Sequence, residues 1–233
     1  MNILNGLLSI LFPTQCAGCK RYIKDFKYVY VCPKCYEGLR LLPQRICPVC
    51  AKPIQSEHAD GCMECKERGN EFSYVLAAGI YEGALKEMIH YMKFNNKKSA
   101  AKIAAGFIME RVDFKIFAGA DMIVAAPLSR DSIAARGYNQ TYEVAKLLSE
   151  KTGIPIVRNV KKIKETPPQN KLDRKERLKN LKGAFEVKEN LAGKTIVVVD
   201  DVFTTGATIN EIAKTLKKSF AKEVRGLVIA RSI

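Results

Sequence analysis

The sequence predicts an α/β protein in which a mostly parallel sheet, flanked by helices, follows a small N-terminal cysteine-rich module. Two observations indicate this fold class. All eight cysteines lie before residue 66, and strand-like runs alternate with helical patterns from residue 72 onward. With 233 residues, 47% of them hydrophobic, the chain can form one ordinary domain and a small appendage. We therefore expect a cysteine-rich domain over 1–70 and an α/β domain over 71–233.

The sequence carries a formal net charge of +15, and two interpretations of it remain open. The surplus can be an ordinary solvated surface, or it can serve a polyanionic partner such as nucleic acid or a phosphate-rich substrate. Trp is absent and aromatic residues make up 8% of the chain, so a broad surface for stacking bases is not indicated.

The N-terminal segment 1–12 is apolar but too short to span a bilayer. It also lacks the basic start and the small-residue cleavage site of a secretory signal. We interpret it as an amphipathic helix or packing arm and expect no membrane span. The expected location is the cytoplasm, where thiols stay reduced.

The eight cysteines form four C-x-x-C pairs, and the last two pairs repeat the first two at nearly the same spacing. Each pair places two thiolates on a tight turn, and two such turns complete a tetrahedron around zinc. Four disulfides are the structural alternative, but a reducing compartment argues against them. Spacing leaves open which turns pair, sequential pairing being the simplest, and His58 is taken as a surface residue. We predict two structural zinc ions, held by Cys16, Cys19, Cys32, Cys35, Cys47, Cys50, Cys62 and Cys65.

The α/β domain is predicted element by element from hydrophobic periodicity and from helix stop signals. Strands are expected at 74–81, 121–126, 154–157, 195–199 and 223–230, and helices at 85–92, 99–112, 139–150 and from 206 onward. The segment between 157 and 195 is expected to be a long polar loop. Alternation of this kind predicts a parallel sheet whose ligands lie at the carboxyl ends of the strands.

The stretch 197–208, VVVDDVFTTGAT, is the most informative part of this domain. It consists of a strand, two adjacent carboxylates, a polar turn with a glycine, and a helix. This layout suits a phosphate held by backbone N–H groups at a helix N-terminus. The carboxylates fit a ligand that also offers sugar hydroxyls or arrives with a divalent metal. A ribose 5-phosphate bearing a metal-bound pyrophosphate has all of these groups.

Two further loops are expected beside this stretch. The segments 127–130 (PLSR) and 136–140 (RGYNQ) follow the 121–126 strand and carry two arginines, which suits a pyrophosphate. The segment 161–182 contains TPPQ at 166–169 and is rich in lysine and arginine. It can be a flexible basic linker, but a long loop beside a site more often serves as a lid.

Other phosphate-binding and catalytic motifs are excluded, because the neighbouring sequence lacks the elements that they require. The segment 193–195 resembles the end of a Walker A loop, but the glycine required five residues earlier is missing and a strand follows instead of preceding it. No G-x-G-x-x-G is present. Too little chain follows Asp200 for a receiver domain, and the two histidines, His58 and His90, indicate no Ser/His/Asp triad.

The stretch VVVDDVFTTGAT resembles the PRPP-binding motif of type I phosphoribosyltransferases. Beyond that motif, nearly the whole chain resembles the ComF family, the amidophosphoribosyltransferase-like proteins linked to bacterial competence. Ser129 stands where many members of that family have histidine. The segments that carry the resemblance are the paired cysteines, IHYMKF (89–94), PLSR, RGYNQ, TPPQ and RKERLKNLKGAF (174–185).

The resemblance implies a site for PRPP, with Mg²⁺ bound largely through PRPP itself. Asp200 and Asp201 would hold the ribose hydroxyls, 204–208 would cradle the 5-phosphate, and 128–130 would form the pyrophosphate loop. Displacement of pyrophosphate at the anomeric carbon needs no protein nucleophile, so Arg130 and Arg136 would stabilise the leaving charge. The other residues expected to bind the ligand are Lys93, Pro127, Leu128, Ser129, Asn139, Gln140, Val202, Phe203, Thr204, Thr205, Gly206, Ala207 and Thr208.

Two hypotheses about function follow from this interpretation. In the first, the protein binds PRPP and takes part in DNA uptake. It would contact single-stranded DNA through the zinc ribbons and the 158–182 segment, with DNA-uptake or helicase proteins as candidate partners. In the second, it is an active PRPP-dependent phosphoribosyltransferase that acts on an unidentified small-molecule acceptor and has no role with DNA.

Overall fold

A computed structural model of the chain describes residues 14–23, 30–55, 61–94, 100–166, 176 and 180–233. The expected N-terminal arm, His58 and most of the expected lid between 167 and 179 lie outside the described residues. None of the described helices is both long and apolar enough to cross a membrane.

The described elements form a cysteine-rich module followed by an α/β body. The module contains β1 (Thr14–Gln15), β2 (Tyr22–Ile23), α1 (Pro33–Glu37) and α2 (Met63–Arg68). The body contains, in chain order, β3 (Val75–Ile80), α3 (Gly83–Phe94), α4 (Ala100–Arg111), a 3₁₀ helix (Phe114–Phe117), β4 (Met122–Ala125), α5 (Arg130–Arg136), α6 (Gln140–Thr152), β5 (Ile156–Val157), β6 (Val160–Lys162), β7 (Phe185–Val187), β8 (Thr195–Phe203), α7 (Ala207–Lys218) and β9 (Glu223–Arg231).

Five strands of the body form one parallel sheet in the order β3-β9-β8-β4-β5. The predicted parallel α/β fold is thereby confirmed. In the central strand β8, residues 196–199 are fully shielded from solvent. Because neighbouring parallel strands end at the same edge, the carboxyl ends of β3, β9, β8 and β4 lie side by side.

The sheet is covered on both faces, and β8 contributes alternate residues to the two cores. Val197 and Val199 pack in a cluster with apolar residues of α3, α4 and α6. Ile196 and Val198 pack in the other cluster, with apolar residues of α7. Over 196–199, successive side chains of β8 therefore face opposite sides of the sheet.

The structure corrects three expectations about local structure. Strand β8 extends to Phe203 instead of ending at residue 199, so the two aspartates belong to the strand. The PLSR–RGYNQ segment contains the short helix α5. The expected loop after residue 157 contains β6 and β7, which pair antiparallel. These two strands have only three residues each, too few for alternation to reveal them in the sequence.

The cysteine-rich module lies against β3, the edge strand of the sheet. The backbone N–H of Val75 donates to the Val49 carbonyl oxygen at 2.8 Å, and that of Ile80 donates to the Arg40 carbonyl oxygen at 2.8 Å. Val31 and Leu39 of the module join one core cluster, whereas Cys47, Cys50, Ala51 and Cys65 join the other. The module thus satisfies backbone groups at the sheet edge and extends both cores.

Candidate ribose-phosphate site and zinc centres

The eight cysteines gather into two tetrads, and within each tetrad the four Sγ atoms lie within 4.8 Å of one another. The Sγ atoms of Cys19 and Cys32 are 3.8 Å apart, and those of Cys50 and Cys62 are 3.6 Å apart. A tetrahedral zinc with bonds of about 2.3 Å to sulfur requires S···S separations of about 3.8 Å. Both tetrads therefore fit a zinc ion. The pairing is sequential, the first tetrad being Cys16, Cys19, Cys32 and Cys35 and the second Cys47, Cys50, Cys62 and Cys65.

The two tetrads are built in the same way. The backbone N–H of Cys32 donates to Cys16 Sγ at 3.3 Å, and that of Cys62 donates to Cys47 Sγ at 3.2 Å. Cys32 and Cys62 also stand at the N-termini of α1 and α2 with nearly equal backbone angles. Because cysteine supplies every ligand and no position stays open, these sites suit structural zinc and offer no metal to a substrate.

The predicted phosphate loop lies between β8 and α7. Gly206 has φ +78°, and a Cβ at this position would lie 2.3 Å from Cζ of Phe203. Both the left-handed backbone and the close aromatic ring therefore require glycine. The turn directs the N-terminus of α7, whose first N–H groups have no partner within the helix, toward the carboxyl edge of the sheet.

A small, open pocket lies at this loop. Its lining includes hydroxyl-bearing side chains, the carboxylate of Asp200 and the first turn of α7. The lining residues are Asp200, Val202, Phe203, Thr204, Gly206, Ala207, Thr208 and Ile209. The structure thus brings together most of the residues expected to hold the 5-phosphate.

The side chains of Asp200 and Asp201 have different neighbours. Asp200 lines the pocket, whereas Asp201 turns to the opposite face of β8 and contacts Lys93 and Gln140. The expectation that both hold ribose hydroxyls stays a prediction, and it rested on the two residues sharing a turn. Since they occupy successive positions of a strand, they point to opposite sides.

Asp201 belongs to a chain of polar side chains under the sheet edge. Lys93 Nζ lies 2.9 Å from Asp201 Oδ1, and Gln140 Nε2 donates to Asp201 Oδ2 at 2.8 Å. Arg136 in turn donates to Gln140 Oε1 at 3.2 Å. Four residues expected at the site are therefore connected: Lys93, Arg136, Gln140 and Asp201.

Burial and the charges of these polar side chains shift the pKa values of Asp200 and Asp201 in opposite directions. Burial and the adjacent charge of Asp201 raise the pKa of Asp200 to about 7. Burial also acts to raise the pKa of Asp201, but the Lys93 ammonium and the Gln140 hydrogen bond outweigh it and lower that pKa. The pocket near neutral pH is therefore less negative than two carboxylates imply, which favours an anionic ligand.

The predicted pyrophosphate loop uses two of its polar side chains as helix caps. Ser129 Oγ accepts from the Ser132 N–H at the start of α5, and Asn139 Oδ1 accepts from two N–H groups at the start of α6. Pro127 and Leu128 are partly exposed, and Arg130 is exposed. The ligand contacts expected of Ser129 and Asn139 stay predictions, because these side chains already have a structural task.

The described base of the expected lid rests on the same edge. Glu165 Oε1 accepts from the Arg130 N–H at 3.1 Å, and Glu211 Oε1 of α7 accepts from the Gly183 N–H at 2.7 Å. Glu165, within the expected lid over 161–182, is thus anchored beside the pyrophosphate loop. Gly183, directly after that segment, is anchored on the helix that follows the phosphate loop.

Three side chains at this edge have contacts that the sequence did not predict. Tyr81, at the end of β3, shares a 2.9 Å hydrogen bond with Nε2 of His90. Tyr138 donates its hydroxyl to the Met92 carbonyl and so ties RGYNQ to α3. Arg231 is 3% exposed although it is charged. Only Arg231 had a signal in the sequence, as a lone cation at the end of an apolar strand.

Two known domain families match this chain. Residues 96–232 match the phosphoribosyl transferase domain, and residues 7–66 match the double zinc ribbon domain. The first match spans more than half of the chain, and the second covers all eight cysteines.

Several characterised proteins are similar over most of their length. Competence protein F of Haemophilus influenzae is 29% identical over 97% of this chain and 94% of its own. Competence protein ComFC of Streptococcus pneumoniae is 31% identical over 86% of this chain and 87% of its own. DNA utilization protein YhgH of Escherichia coli K12 is 27% identical over 87% of this chain and 91% of its own.

Among solved structures, adenine phosphoribosyltransferase of Saccharomyces cerevisiae aligns with 60% of this chain and 72% of its own, at 16% identity and a TM-score of 0.38. A likeness of that strength does not assign a role to any residue.

Proposed function

We propose that this chain, which belongs to the ComF family and carries its phosphoribosyl transferase domain, binds PRPP at the carboxyl edge of β8. The observation that carries the proposal is the pocket between Asp200 and the first turn of α7. It combines N–H groups that suit a phosphate, hydroxyl side chains, and one carboxylate able to accept from a ribose hydroxyl.

The opposite orientation of the two aspartates gives them different tasks in this proposal. Asp200 faces the ligand and would accept a hydrogen bond from the ribose. Asp201 would hold Lys93 and Gln140, and through Gln140 also Arg136, in fixed positions beside the pyrophosphate. Mg²⁺ would arrive with PRPP, coordinated mainly by the ligand, and would neutralise part of its charge.

Calorimetric titration of the full chain with PRPP and Mg²⁺ tests this site. Thr208→Val removes a hydroxyl from the pocket, and a hydrogen bond to a charged group is worth about 1.5–3 kcal/mol, so PRPP affinity should fall at least about tenfold. Thr215→Val is the matched control, because Thr215 lies further along α7 and donates to the Glu211 carbonyl. Absence of binding to the parent chain, or equal losses in both variants, would refute the proposal.

A role with single-stranded DNA is the second part of the proposal. The relatives named for competence and for DNA utilization favour it, and so does the charge around β6 and β7. In this region the described part of the chain exposes Arg158, Lys161, Lys164, Lys182 and Lys188. We propose that DNA lies along these cations, beside the mouth of the pocket.

Fluorescence anisotropy with a labelled oligothymidine tests the DNA contact. Binding through several phosphates should weaken steeply as the salt concentration rises. The logarithm of the binding constant should fall against the logarithm of the salt concentration with a slope of about −0.7 for each phosphate of single-stranded DNA that the protein contacts. The double variant K161Q/K164Q should lower the affinity and flatten the slope. The control K146Q/K151Q removes the same charge from exposed positions near the end of α6 and should leave both unchanged. An affinity indifferent to salt would overturn the proposed contact.

Catalytic transfer to a small-molecule acceptor is the alternative. Transfer would release pyrophosphate in step with loss of PRPP, and Asp200→Ala should abolish the release. Pyrophosphate release from the parent chain with some acceptor would establish an enzyme. PRPP binding without release across a panel of nucleobases and amines would favour a binding role.

A further inference from the structure

Arg231 ends β9 in the middle of the carboxyl edge of the sheet. Its backbone lies between Ile80 of β3 and Phe203 of β8 in the strand register. Its side chain is 3% exposed, and its guanidinium carbon lies 4.9 Å from the centroid of the Phe203 ring. A cation placed so deeply is costly unless hydrogen bonds and a counter-charge compensate for the lost water.

Among the described residues, the hydrogen bonds of Arg231 end on backbone carbonyl groups. Nε donates to the Cys50 carbonyl oxygen at 3.0 Å, and Nη1 donates to those of Phe203 at 3.0 Å and Thr204 at 2.9 Å. Nη1 also donates to the carbonyl of the neighbouring Ser232. Within the described residues, no carboxylate forms an ion pair with this guanidinium. The described residues thus offer no aspartate or glutamate as its counter-charge.

The second cysteine tetrad would carry a negative charge beside this guanidinium with zinc bound. A zinc ion with four thiolate ligands carries a formal charge of −2. Cys50 is one of these ligands, and the Arg231 side chain holds its carbonyl group directly. Positive charge placed against a tetrathiolate zinc stabilises it, as partners of metal ligands commonly do.

The other two carbonyl groups belong to the predicted phosphate loop. Phe203 is the aromatic side chain that packs against Gly206, and Thr204 lines the pocket. One buried side chain thus connects a ligand of the second zinc with the two residues that begin the loop. We propose that Arg231 is the counter-ion of the second zinc site and that, through it, zinc at this site holds the phosphate loop in its binding conformation.

The first tetrad provides an internal comparison. In the described part of the chain no buried cation holds its Cys19 turn, and the adjacent Lys20 is largely exposed and donates to the Ala17 carbonyl. The first tetrad packs on the body through apolar residues such as Val31 and Leu39 instead. Loss of the first zinc should therefore disturb the conformation of the phosphate loop less than loss of the second zinc.

Zinc release tests the counter-ion role without reference to PRPP. The full chain is mixed with the chelator 4-(2-pyridylazo)resorcinol, and the zinc ions released are counted against time. Substitutions of residues that support metal ligands weaken metal binding about 10- to 100-fold, so Arg231→Met should release one of the two zinc ions about tenfold faster or more. Arg231→Lys keeps the charge and should stay close to the parent. Unchanged release from Arg231→Met would overturn the counter-ion role.

PRPP titration tests the coupling, and this part rests on the proposed function. Cys62→Ser removes a ligand of the second tetrad and should weaken PRPP binding about tenfold, whereas Cys32→Ser, the equivalent change in the first tetrad, should change it less than about threefold. Arg231→Lys should weaken PRPP binding while retaining zinc, because lysine cannot hold all these carbonyl groups. Equal effects of the two serine variants would overturn the coupling. If the parent binds no PRPP, the proposed function fails while the zinc-release result still stands.

Discussion

Lys93 and Asp201 form an ion pair across the carboxyl edge of the sheet, with Nζ 2.9 Å from Oδ1 and both side chains largely shielded from water. Lys93→Met leaves the Asp201 charge buried without its cation, and breaking such a pair costs about 3 kcal/mol in the free energy of unfolding. Urea unfolding at pH 7 measures the loss.

The matched control for this prediction is Lys146→Met. Lys146 pairs with Glu150 at 3.9 Å on an exposed surface of α6. Removing this pair should therefore lower the free energy of unfolding by no more than about 0.5 kcal/mol. Equal losses in the two variants would mean that the Lys93–Asp201 pair is no better shielded than a surface pair.

Asp200 should make stability depend on pH in the direction opposite to an ordinary paired carboxylate. Its pKa is raised to about 7 by burial and by the charge of Asp201, whereas aspartate in an unfolded chain titrates near 4. The folded state therefore keeps a proton that the unfolded state has lost, and the free energy of unfolding falls as pH rises from about 4 to about 7. Relative to the parent, the free energy of unfolding of Asp200→Asn should therefore rise by about 2–3 kcal/mol between pH 5 and pH 8.

Asp121→Asn provides the comparison of opposite sign. The Thr195 N–H and the Lys194 ammonium lower the pKa of Asp121, so its charged form stabilises the fold above the unfolded pKa. This variant should be less stable than the parent at pH 7 and equal to it in acid. Thermal unfolding across pH measures both variants, and a parallel trend for them would contradict the raised pKa of Asp200.

Gly206 should tolerate alanine less well than a glycine with the same backbone angle. Gly206 and Gly193 have φ of +78° and +76°, but only at Gly206 does a Cβ meet another group, the ring of Phe203. Both alanine variants carry the left-handed strain, and the clash should cost Gly206→Ala about 1–3 kcal/mol more. Chemical denaturation gives the difference. PRPP affinity should also fall in Gly206→Ala alone, and equal stability of the two variants would show that the loop accommodates the extra atom.

Removal of zinc should loosen the edge of the sheet before its centre. The amides of Val75 and Ile80 donate to carbonyl groups of the cysteine-rich module, whereas the backbone of β8 lies between β4 and β9. Since zinc supplies much of the folding energy of such modules, chelation should speed hydrogen exchange in 75–80 and leave 195–200 protected. Exchange monitored by mass spectrometry distinguishes the two segments. Unchanged protection in 75–80 would mean that the module stays folded without metal.

Much of the fold was predictable because it depends on residue type and short spacing. Four C-x-x-C pairs identify tetrahedral thiolate sites wherever the turns meet, and runs such as 195–199 identify a buried strand by composition alone. The strand after residue 199 was missed because the sequence continues with two aspartates, which are uncommon in strands. Hydrogen bonding to β9 overrides that preference and carries β8 on to Phe203.

The sequence by itself determined the ligands of the zinc ions, the α/β layering and the segments that meet at the carboxyl edge, because each follows from local pattern. Only the tertiary structure decided which side chains are partners there. Lys93 and Asp201 are 108 residues apart, and Arg231 and Cys50 are 181 apart. The physical reason is that a buried charge loses its hydration and is stable only beside a compensating partner. Tertiary packing determines which residue becomes that partner, and no local sequence pattern encodes it.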